Sequence, residues 1–465
     1  MRGRFMSAHD IASAVRSGST TATDVLDATL ERIASIDTAL NAFTIVIADS
    51  AHEAARSVDQ RAARGEELPL AGVPIAVKDH VWLADVPATN GSRALAAFVP
   101  DTTCASVQRL VDAGAVVVGK TNNPEFCYRG DTDSPLWGVT RNPFDLTRTP
   151  GGSSGGSAVA VATGMTALAV GTDGGGSIRA PAAFCGVVGH KPTFGLVPRK
   201  PGFRGWPSLS VHGQLGRTVA DVALMLSVMA GQHPVDPTTL PVKDMRLAEA
   251  GQAPMDLTGL RVAVSEDFGM AGIQPEVLEG FQKAVTLLAD LGCSVTRRHP
   301  ATEDPTPIWW TVAACESFAA EGTFLSRPCE VTPYSLEVLR RGQTLSAADY
   351  LNAQHERETL SRIWGEFFLE FDLMVSPGQS VLPFPIGRLG PQDEHDDRWW
   401  AMDTVANLTG QPVTSIPCGL TAEGLPLGLQ LMGPRFADAL VLNAAASLER
   451  GLPSISPPSP FGPGK

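Results

Sequence analysis

Apolar residues recur at helical spacing in the first part of the chain. Ser7 stands where it would cap a helix over Ala8–Arg16, and a longer helix is predicted to follow and to run to Ile36. The apolar face of this longer helix consists of Val25, Leu26, Leu30 and Ile33. A third helix is predicted over Ala51–Arg64, so the chain is expected to begin as a run of helices.

The pattern changes at residue 72, where strand-like runs begin. Gly72–Asp79 is short and apolar with a proline near its start, which predicts a strand ending at Lys78. Further strand-like runs are Ala115–Lys120, Ala167–Gly171, Leu260–Val264 and Ser294–Arg298. They alternate with helical segments over Ala105–Ala113, Ala158–Thr163, Thr218–Met229 and Pro275–Leu291. This alternation is typical of an α/β fold in which helices cover both faces of a sheet.

Two regions lack such a pattern. Residues from about 300 to 400 are rich in Trp, Phe, Pro and Glu and are interpreted as helices and long loops that form a cap over one edge. Residues 453–465 contain five prolines, so an irregular tail is predicted. The variable regions also hold tryptophans that would either line an apolar substrate channel or form the core of the cap: Trp206, Trp309, Trp310, Trp399 and Trp400.

Composition narrows the class of protein. The chain has 465 residues, of which 43% are hydrophobic and 18% charged, a globular composition that buries a large core. Its net charge of −13 comes without a dense Lys/Arg run, so no nucleic-acid partner is expected. No segment reaches the roughly 18 unbroken apolar residues of a membrane span, and the N-terminus does not look like a signal peptide. A cytoplasmic protein without membrane contact is expected.

The cysteines and histidines do not indicate a metal site. The seven cysteines are scattered and form no Cys-x-x-Cys pair, which speaks against a zinc ribbon or a dithiol redox motif. The His-Glu-x-x-His motif of metal-dependent hydrolases is also missing from the sequence. Neither a metal nor a cofactor is therefore expected.

Two segments rich in glycine and serine stand out, Pro150–Ser157 and Gly171–Arg179. Each lies where a loop meets the start of a helix, so free backbone N–H groups point outward there. A flexible linker explains them poorly, because apolar helix or strand segments flank both. A phosphate-binding loop would require a lysine after the last glycine, and neither segment has one. The third interpretation is nucleophilic catalysis, since three glycines precede Ser177 and their N–H groups would converge on an oxyanion.

A serine nucleophile also needs a base. None of the nine histidines lies in a setting that marks it out, and His80 and His190, which are near these segments, are equally explained as structural residues. Lys78 closes an apolar strand, where desolvation would lower its pKa toward a neutral, proton-accepting amine. From the residues alone, histidine and lysine both remain candidates for the base.

At these loops the sequence resembles the amidase signature family, whose pattern G-G-S-S-G-G-S followed by G-T-D-x-G-G-S-I-R is matched nearly letter for letter. The spacing agrees as well, with 75 residues from Lys78 to Ser153 and 24 from Ser153 to Ser177. Further segments resemble the family at Val73–Asp79, Gly119–Phe126, Thr140–Asp145, Gly186–Thr193 and Gly424–Gln430.

The resemblance implies a fold and a domain arrangement. The fold expected from it is α/β, with a large mixed, mostly parallel twisted sheet covered by helices on both faces and a less regular helical and loop cap. Because the match covers most of the chain outside roughly 235–400, residues 1–465 are expected to form a single amidase signature domain. Within it, about 235–400 would be a variable cap and substrate region.

The resemblance also implies roles for residues. Ser177 would be the acyl-enzyme nucleophile, Ser153 a proton relay at a cis peptide bond, and Lys78 the base. The oxyanion hole would be formed by the backbone N–H groups of Gly174, Gly175, Gly176 and Ser177. The substrate pocket would be lined or supported by Cys127, Tyr128, Arg129 and Ser154. Position 174 is usually bulkier in the family, so Gly174 would widen the acyl side or loosen the loop.

The implied function is hydrolysis of a carboxylic amide C–N bond, with an apolar or aryl amide favoured and a carbamate or ester also open. The alternative is the glutamine-hydrolysing A subunit of a tRNA-dependent amidotransferase. That subunit usually carries a Ser-Arg-Tyr-Gly-like stretch after its K-P-T motif, whereas this chain has Leu196–Phe203 there, which favours a free-standing amidase. The expected partner is a small amide substrate, and the expected assembly is a monomer or homodimer.

Overall fold

The computed structural model describes residues 5–241, 245–270, 272–391 and 397–463. The helices are α1 (Ala8–Arg16), α2 (Ala22–Leu40), α3 (Ala48–Ala63), α4 (Ala105–Asp112), α5 (Gly155–Ala162), α6 (Arg179–Cys185), α7 (Val219–Met229), α8 (Pro275–Asp290), α9 (Thr306–Glu321), α10 (Pro333–Thr344), α11 (Ala347–Glu370), α12 (Ala401–Thr409) and α13 (Asp438–Gly451). The strands are β1 (Phe43–Val46), β2 (Pro74–Lys78), β3 (Val116–Thr121), β4 (Asp133–Ser134), β5 (Gly138–Val139), β6 (Leu168–Asp173), β7 (Val188–Lys191), β8 (Val211–Gly216), β9 (Arg261–Val264), β10 (Ser294–Arg297), β11 (Leu373–Pro377), β12 (Val413–Leu420) and β13 (Pro426–Met432).

Eleven of these strands form one sheet in the order β1-β3-β2-β6-β8-β7-β12-β13-β11-β9-β10. Parallel pairings join β2 to β3 and β6, and β9 to β10 and β11. The other neighbours in the sheet are antiparallel. The large mixed sheet is thus confirmed, but the expectation that it is mostly parallel is corrected.

The reason lies in the connections between strands. The chain passes from β7 to β8 through residues 192–210 without a helix and returns antiparallel. A parallel return needs a crossover connection, usually a helix. Hydrophobic patterning reports how strongly a strand is buried, and it carries no information about the direction of the neighbouring strand.

The two central strands β2 and β6 are fully buried along their lengths, as the continuous apolar runs predict. Pro74 begins β2, a position at which the missing N–H does not interrupt the strand. The helix α5 packs against both strands. The first turn of α5 also lies close to the backbone just before β1, because a Cβ on Gly156 would lie 2.5 Å from the carbonyl oxygen of Ala42.

The predicted cap region, about 235–400, divides between two layers. β9, α8, β10 and β11 belong to the sheet layer, in agreement with the β-α-β unit predicted from Leu260 onward. The helices α10 and α11 both pack on α9, and all three contribute to a second apolar cluster beside the sheet. Trp364 of α11 lies fully buried in that cluster. The layer of helices beside the sheet thus consists of α9, α10 and α11.

The ends of the chain follow the predicted pattern. Ser7 and Thr21 cap α1 and α2 through their side chains, and Thr21 forms a capping box with Asp24. Residues 453–463 contain neither helix nor strand, and Arg32 Nη2 donates to the carbonyl oxygen of Phe461 at 2.7 Å, which ties the tail to α2. None of the helices in the described ranges is long and apolar enough to cross a bilayer.

Candidate active site

The candidate site lies at one edge of the sheet, where β2 ends at Lys78 and β6 ends at Asp173. These strands are parallel neighbours, with Val77 opposite Val170. Because parallel neighbours end at the same edge, the Lys78 side chain and the loop after Asp173 come together there. The start of α5 at Gly155 brings the other glycine-rich segment, Pro150–Ser157, to the same edge of the sheet.

Lys78 is fully buried, and its Nζ is surrounded by three hydroxyl groups. Nζ lies 2.7 Å from Ser153 Oγ, 3.0 Å from Ser154 Oγ and 2.8 Å from Thr172 Oγ1. Burial lowers the pKa of Lys78 below its ordinary value, and the nearby Cys127 and Asp173 offset only part of this effect. The surroundings therefore favour the neutral amine.

The two serines that contact Lys78 behave differently. Ser153 follows the cis peptide bond after Gly152 that the family resemblance implied. Ser154 is fully buried, and its Oγ donates to the Thr172 carbonyl oxygen at 3.2 Å and accepts from the Thr172 N–H at 3.2 Å. Ser154 is also missing from the described lining of the pocket. Ser154 thus connects Lys78 to the backbone of Thr172, and its predicted contact with substrate stays a prediction.

Ser177 is partly exposed and lines a pocket next to Gly152. Its carbonyl oxygen accepts from the N–H of Ser154 at 3.1 Å, which joins the two loops. Within the described residues, Ser177 Oγ has no hydrogen-bond partner, so the link from Lys78 to Ser153 is formed while a link from Ser153 to Ser177 is not. Catalytic hydrogen bonds are often long without substrate and tighten in the reactive complex.

The N–H groups predicted to form the oxyanion hole are not equivalent. Gly176 N–H donates to Asp173 Oδ1 at 2.9 Å, so it is already engaged inside the loop. The N–H groups of Gly174, Gly175 and Ser177 have no partner among the described residues. Gly175 and Ser177 also line the pocket. Three of the four N–H groups predicted to form the oxyanion hole are therefore free among the described residues.

A buried ion-pair network braces this loop. Arg179, at 1% exposure, donates to Asp173 through Nε at 3.1 Å and Nη2 at 3.0 Å, and through Nη1 to Asp403 Oδ1 at 2.8 Å. Burial alone would raise the pKa of Asp173, but Arg179 outweighs it and holds that pKa below its ordinary value. Asn407 Nδ2 adds a 3.0 Å bond to the Asp173 carbonyl oxygen. The ion pair between Asp173 and Arg179, the residues that flank Ser177, therefore has a structural role in bracing the loop.

Aromatic side chains make up much of the pocket wall. The lining includes Tyr128, Trp206, Trp309, Tyr334, Trp399 and Trp400. Trp206 stands against the glycine loop, since a Cβ on Gly174 would lie 2.5 Å from its Cε3. The space that a larger residue at position 174 would take is therefore filled by Trp206, and the expected widening of the acyl side is not met.

The segment Cys127–Arg129 lines the same pocket, as predicted. Cys127 has φ of 62°, and burial raises the pKa of its thiol, an effect that Lys78 and Ser153 partly oppose. Tyr128 stacks on Trp206 with ring centroids 5.6 Å apart. Arg129 Nη2 donates to Asp131 Oδ2 at 2.7 Å, so its charge is already paired.

The histidine candidates for the base are structural residues. His190 contacts Thr414 Oγ1 at 2.8 Å and Asp438 Oδ1 at 3.3 Å, far along the chain from the glycine loops. His80 Nδ1 lies 3.0 Å from Asn90 Oδ1, and burial together with Lys78 lowers the pKa of His80 to about 3. An imidazole with such a low pKa is a poor proton acceptor near neutral pH.

Sequence reasoning missed several residues of the site. Thr172 stood inside the recognised loop without a role, and its position before Asp173 at the end of a strand was the only signal. Asp403 and Asn407 come from α12, which no motif connected to the loops. In the described parts of the chain, no cluster of His, Cys, Asp and Glu side chains is arranged to hold a metal ion.

Comparison with known proteins agrees with this geometry. The family model named Amidase matches residues 24–442. The chain belongs to the amidase signature family. It is therefore an enzyme of a family that hydrolyses amide C–N bonds, as the two loops and the lysine strand predicted.

Its relatives include both free-standing enzymes and one component of a larger enzyme. The A subunit of the glutamyl-tRNA(Gln) amidotransferase of Chloroflexus aurantiacus is 38% identical over 470 residues, which cover 94% of this chain and 95% of that protein. The acylamidase of Rhodococcus erythropolis is 34% identical over 457 residues, which cover 96% and 95%. A solved bacterial aryl acylamidase of the same family superposes with a TM-score of 0.89 at 28% identity and covers 98% of this chain and 97% of that one.

Replacing Arg179 by Met removes the cation between two buried carboxylates. We expect a loss of about 3–5 kcal/mol of stability near neutral pH, because Asp173 and Asp403 remain buried without their charge partner. The folded-state pKa of Asp173 is lowered in the wild type, so its contribution is present above the unfolded-state pKa and is lost as the pH falls. The deficit of the variant should therefore shrink as the pH falls below about 4, the ordinary pKa of an aspartic acid in the unfolded chain, which thermal unfolding at several pH values measures.

Arg362→Met is the matched control, because Arg362 forms an exposed pair with Glu366 on α11. An exposed pair contributes little, so this variant should unfold close to the wild type at every pH. Equal effects of the two substitutions, or a deficit of Arg179→Met that grows on acidification, would contradict the structural role of the network.

Proposed function

We propose that the enzyme hydrolyses its amide substrate through an acyl-enzyme on Ser177, with Ser153 as proton relay and Lys78 as base. The observation that carries this proposal is the fully buried Lys78 Nζ at 2.7 Å from Ser153 Oγ, beside the pocket that Ser177 lines. A serine near a desolvated amine, with free backbone N–H groups next to it, has the parts that acyl transfer needs.

The hydrogen bonds around Lys78 Nζ support Ser153 as the group that donates to the neutral amine. A neutral amine has two N–H groups and one lone pair. The Ser154 hydroxyl hydrogen goes to the Thr172 carbonyl oxygen, so Ser154 accepts from Lys78. The lone pair is left for Ser153 or Thr172, and we assign it to Ser153, whose neighbour Gly152 lines the same pocket as Ser177.

The reaction then follows from this chain of groups. Ser177 Oγ attacks the amide carbonyl carbon and passes its proton to Ser153 Oγ, while the Ser153 proton passes to Lys78 Nζ. The carbonyl oxygen becomes an oxyanion that accepts from the free loop N–H groups. As the C–N bond breaks, the proton returns from Lys78 through Ser153 to the departing amine nitrogen. Water then attacks the Ser177 ester by the same route and releases the carboxylic acid.

The wall of the pocket supports an apolar or aryl amide as substrate, with carbamates and esters as further candidates. Flat indole rings present apolar area to a bound ring, and pairs of aromatic rings are favourable beyond the area that they bury. The likeness to an aryl acylamidase and to an acylamidase points in the same direction.

The second candidate is the glutamine-hydrolysing A subunit of a tRNA-dependent amidotransferase, which the 38% identity to that protein favours. Glutamine carries an ammonium and a carboxylate on its α-carbon. Among the described residues that line the pocket there is no Asp or Glu to bind the ammonium, and Arg129 is paired with Asp131. For this reason we prefer a free-standing amidase, acting as a monomer or homodimer.

Ser177→Ala should abolish turnover and covalent labelling by an activated serine probe such as a fluorophosphonate. Both depend on the Ser177 hydroxyl, because no other group would form the ester. Intact-mass measurement after labelling, together with an amide hydrolysis assay, tests this expectation. Ser227→Ala, which changes a serine on α7 away from the pocket, is the matched control and should label and turn over as the wild type does. Full labelling of Ser177→Ala would refute the assignment.

The rate should rise with pH and then level off. Lys78 acts as a base only when it is neutral, and burial lowers its pKa, so the rise in kcat/KM should have its midpoint below the ordinary lysine value of about 10.4. A pH profile of kcat/KM measures this, and Lys78→Ala should lose several orders of magnitude in rate at neutral pH. Lys78→Ala that keeps most of the activity would rule out this base.

A direct competition of substrate classes separates the two candidate functions. We expect the purified chain to hydrolyse acyl para-nitroanilides and to release no ammonia from glutamine, because the described pocket wall is aromatic and lacks a carboxylate. Absorbance of para-nitroaniline and a coupled ammonia assay measure the two reactions. Glutaminase activity without anilide hydrolysis, or co-purification with partner proteins that glutamine hydrolysis requires, would instead favour the amidotransferase.

A further inference from the structure

One hydrogen bond connects the cap helix α9 to the loop that carries Ser177. Trp309, in the first turn of α9 and 3% exposed, donates its indole Nε1–H to the carbonyl oxygen of Gly174 at 2.7 Å. The two residues are 135 positions apart in the chain. The bond therefore joins a region outside the family motifs to the middle of the glycine loop.

The geometry of a peptide unit gives this bond a consequence for the next residue. The peptide between Gly174 and Gly175 is trans, so its C=O and N–H point in opposite directions within one plane. When Trp309 holds the carbonyl oxygen on its own side, the Gly175 N–H must point away from Trp309. That N–H has no partner among the described residues, and Gly175 lines the pocket.

The preceding peptide is held in the same manner. Asn407 Nδ2 donates to the Asp173 carbonyl oxygen at 3.0 Å, which directs the Gly174 N–H away from Asn407. Gly176 N–H is bound by Asp173 Oδ1. The carbonyl oxygens of Asp173 and Gly174 are therefore both bound, while the N–H groups of Gly174 and Gly175 have no partner among the described residues.

Trp309 is itself fixed, so it is able to orient the loop. Its ring packs against Trp206 and Trp400 with centroids 5.1 and 4.8 Å away, at interplanar angles of 80° and 73°. A Cβ on Gly175 would lie 2.8 Å from Trp309 Cζ2, so the indole is in direct contact with the loop backbone. A glycine is the only residue that leaves room for this contact.

We propose that Trp309 is a positioning residue for the oxyanion hole: its indole N–H sets the plane of the Gly174–Gly175 peptide and thereby aims the Gly175 N–H at the developing oxyanion. This inference rests on the proposed acyl-enzyme function of Ser177. Preorganised donors stabilise the transition state because they need no reorientation when the charge appears. Trp309 thus acts on the reaction through the backbone, in addition to forming part of the pocket wall.

The decisive variant keeps the shape of the indole and removes only its donor. Replacement of Trp309 by 3-benzothienylalanine exchanges the N–H for sulfur, and Trp309→Phe is the simpler companion. With an acyl para-nitroanilide as substrate, we expect kcat to fall by about 10- to 100-fold in the benzothienyl variant, somewhat less than the 10²–10³ that follows complete removal of an oxyanion donor. KM should change by no more than about threefold, because the pocket wall is preserved.

A second readout separates oxyanion stabilisation from general loss of structure. A trifluoromethyl ketone with the same acyl group forms a tetrahedral adduct with a serine, and its affinity should weaken by the same factor as kcat/KM. Trp364→Phe is the matched control, because Trp364 belongs to the same apolar cluster but its buried Nε1 has no hydrogen-bond partner in the described chain. This control should keep kcat and the affinity for the ketone, even where its melting temperature falls.

The outcomes are distinguishable. If the wild type shows no turnover or labelling that depends on Ser177, the proposed function fails and this inference fails with it. If the wild type turns over and the benzothienyl variant matches it in kcat and in affinity for the ketone, the role of Trp309 is refuted while the proposed function stands. A loss seen only in KM also refutes it, since that would make Trp309 a wall of the pocket alone.

Discussion

The burial of one amine, Lys78 Nζ, among three hydroxyl groups is the constraint on which the site depends. An ammonium without water or a carboxylate next to it is costly, so these surroundings favour the neutral form. Hydroxyl groups suit that form because each can either donate or accept. The parallel pair β2 and β6 delivers Lys78 and Thr172 to the same edge of the sheet, and the start of α5 delivers the two serines.

This arrangement requires that nearby carboxylates be bound elsewhere, because a free carboxylate beside Lys78 would raise the pKa of the amine and keep it protonated. Asp79, the next residue, accepts from Thr89 Oγ1 at 2.7 Å and from the Gly91 N–H at 3.1 Å. Asp173 is bound by Arg179 and by the Gly176 N–H. The ion pair beside the nucleophile therefore braces the loop, and Asp173 raises the pKa of Lys78 by less than burial lowers it.

The tryptophans show why a choice between wall and core could not be made from sequence. Trp309 contributes to both, since it is 3% exposed, belongs to the apolar cluster of the cap and lines the pocket. Trp364, on α11 of the same cap, is buried in the core and does not line this pocket. Two tryptophans in adjacent helices look alike in composition and spacing. Only the packing of α9 against the glycine loop decides which of them faces the site.

The sequence by itself determined the helices at the start of the chain and the buried strands, because periodicity is a local property. Its resemblance to a known family then pointed to Lys78, Ser153 and Ser177 as the candidate chemistry. It did not determine strand directions in the sheet, the limits of the cap, or the partners Thr172, Asp403 and Trp309. The tertiary structure decided these, because each depends on contacts between segments far apart in the chain. The orientation of two peptide groups of the loop was decided in the same way, because side chains from α9 and α12 hold the carbonyl oxygens of Gly174 and Asp173.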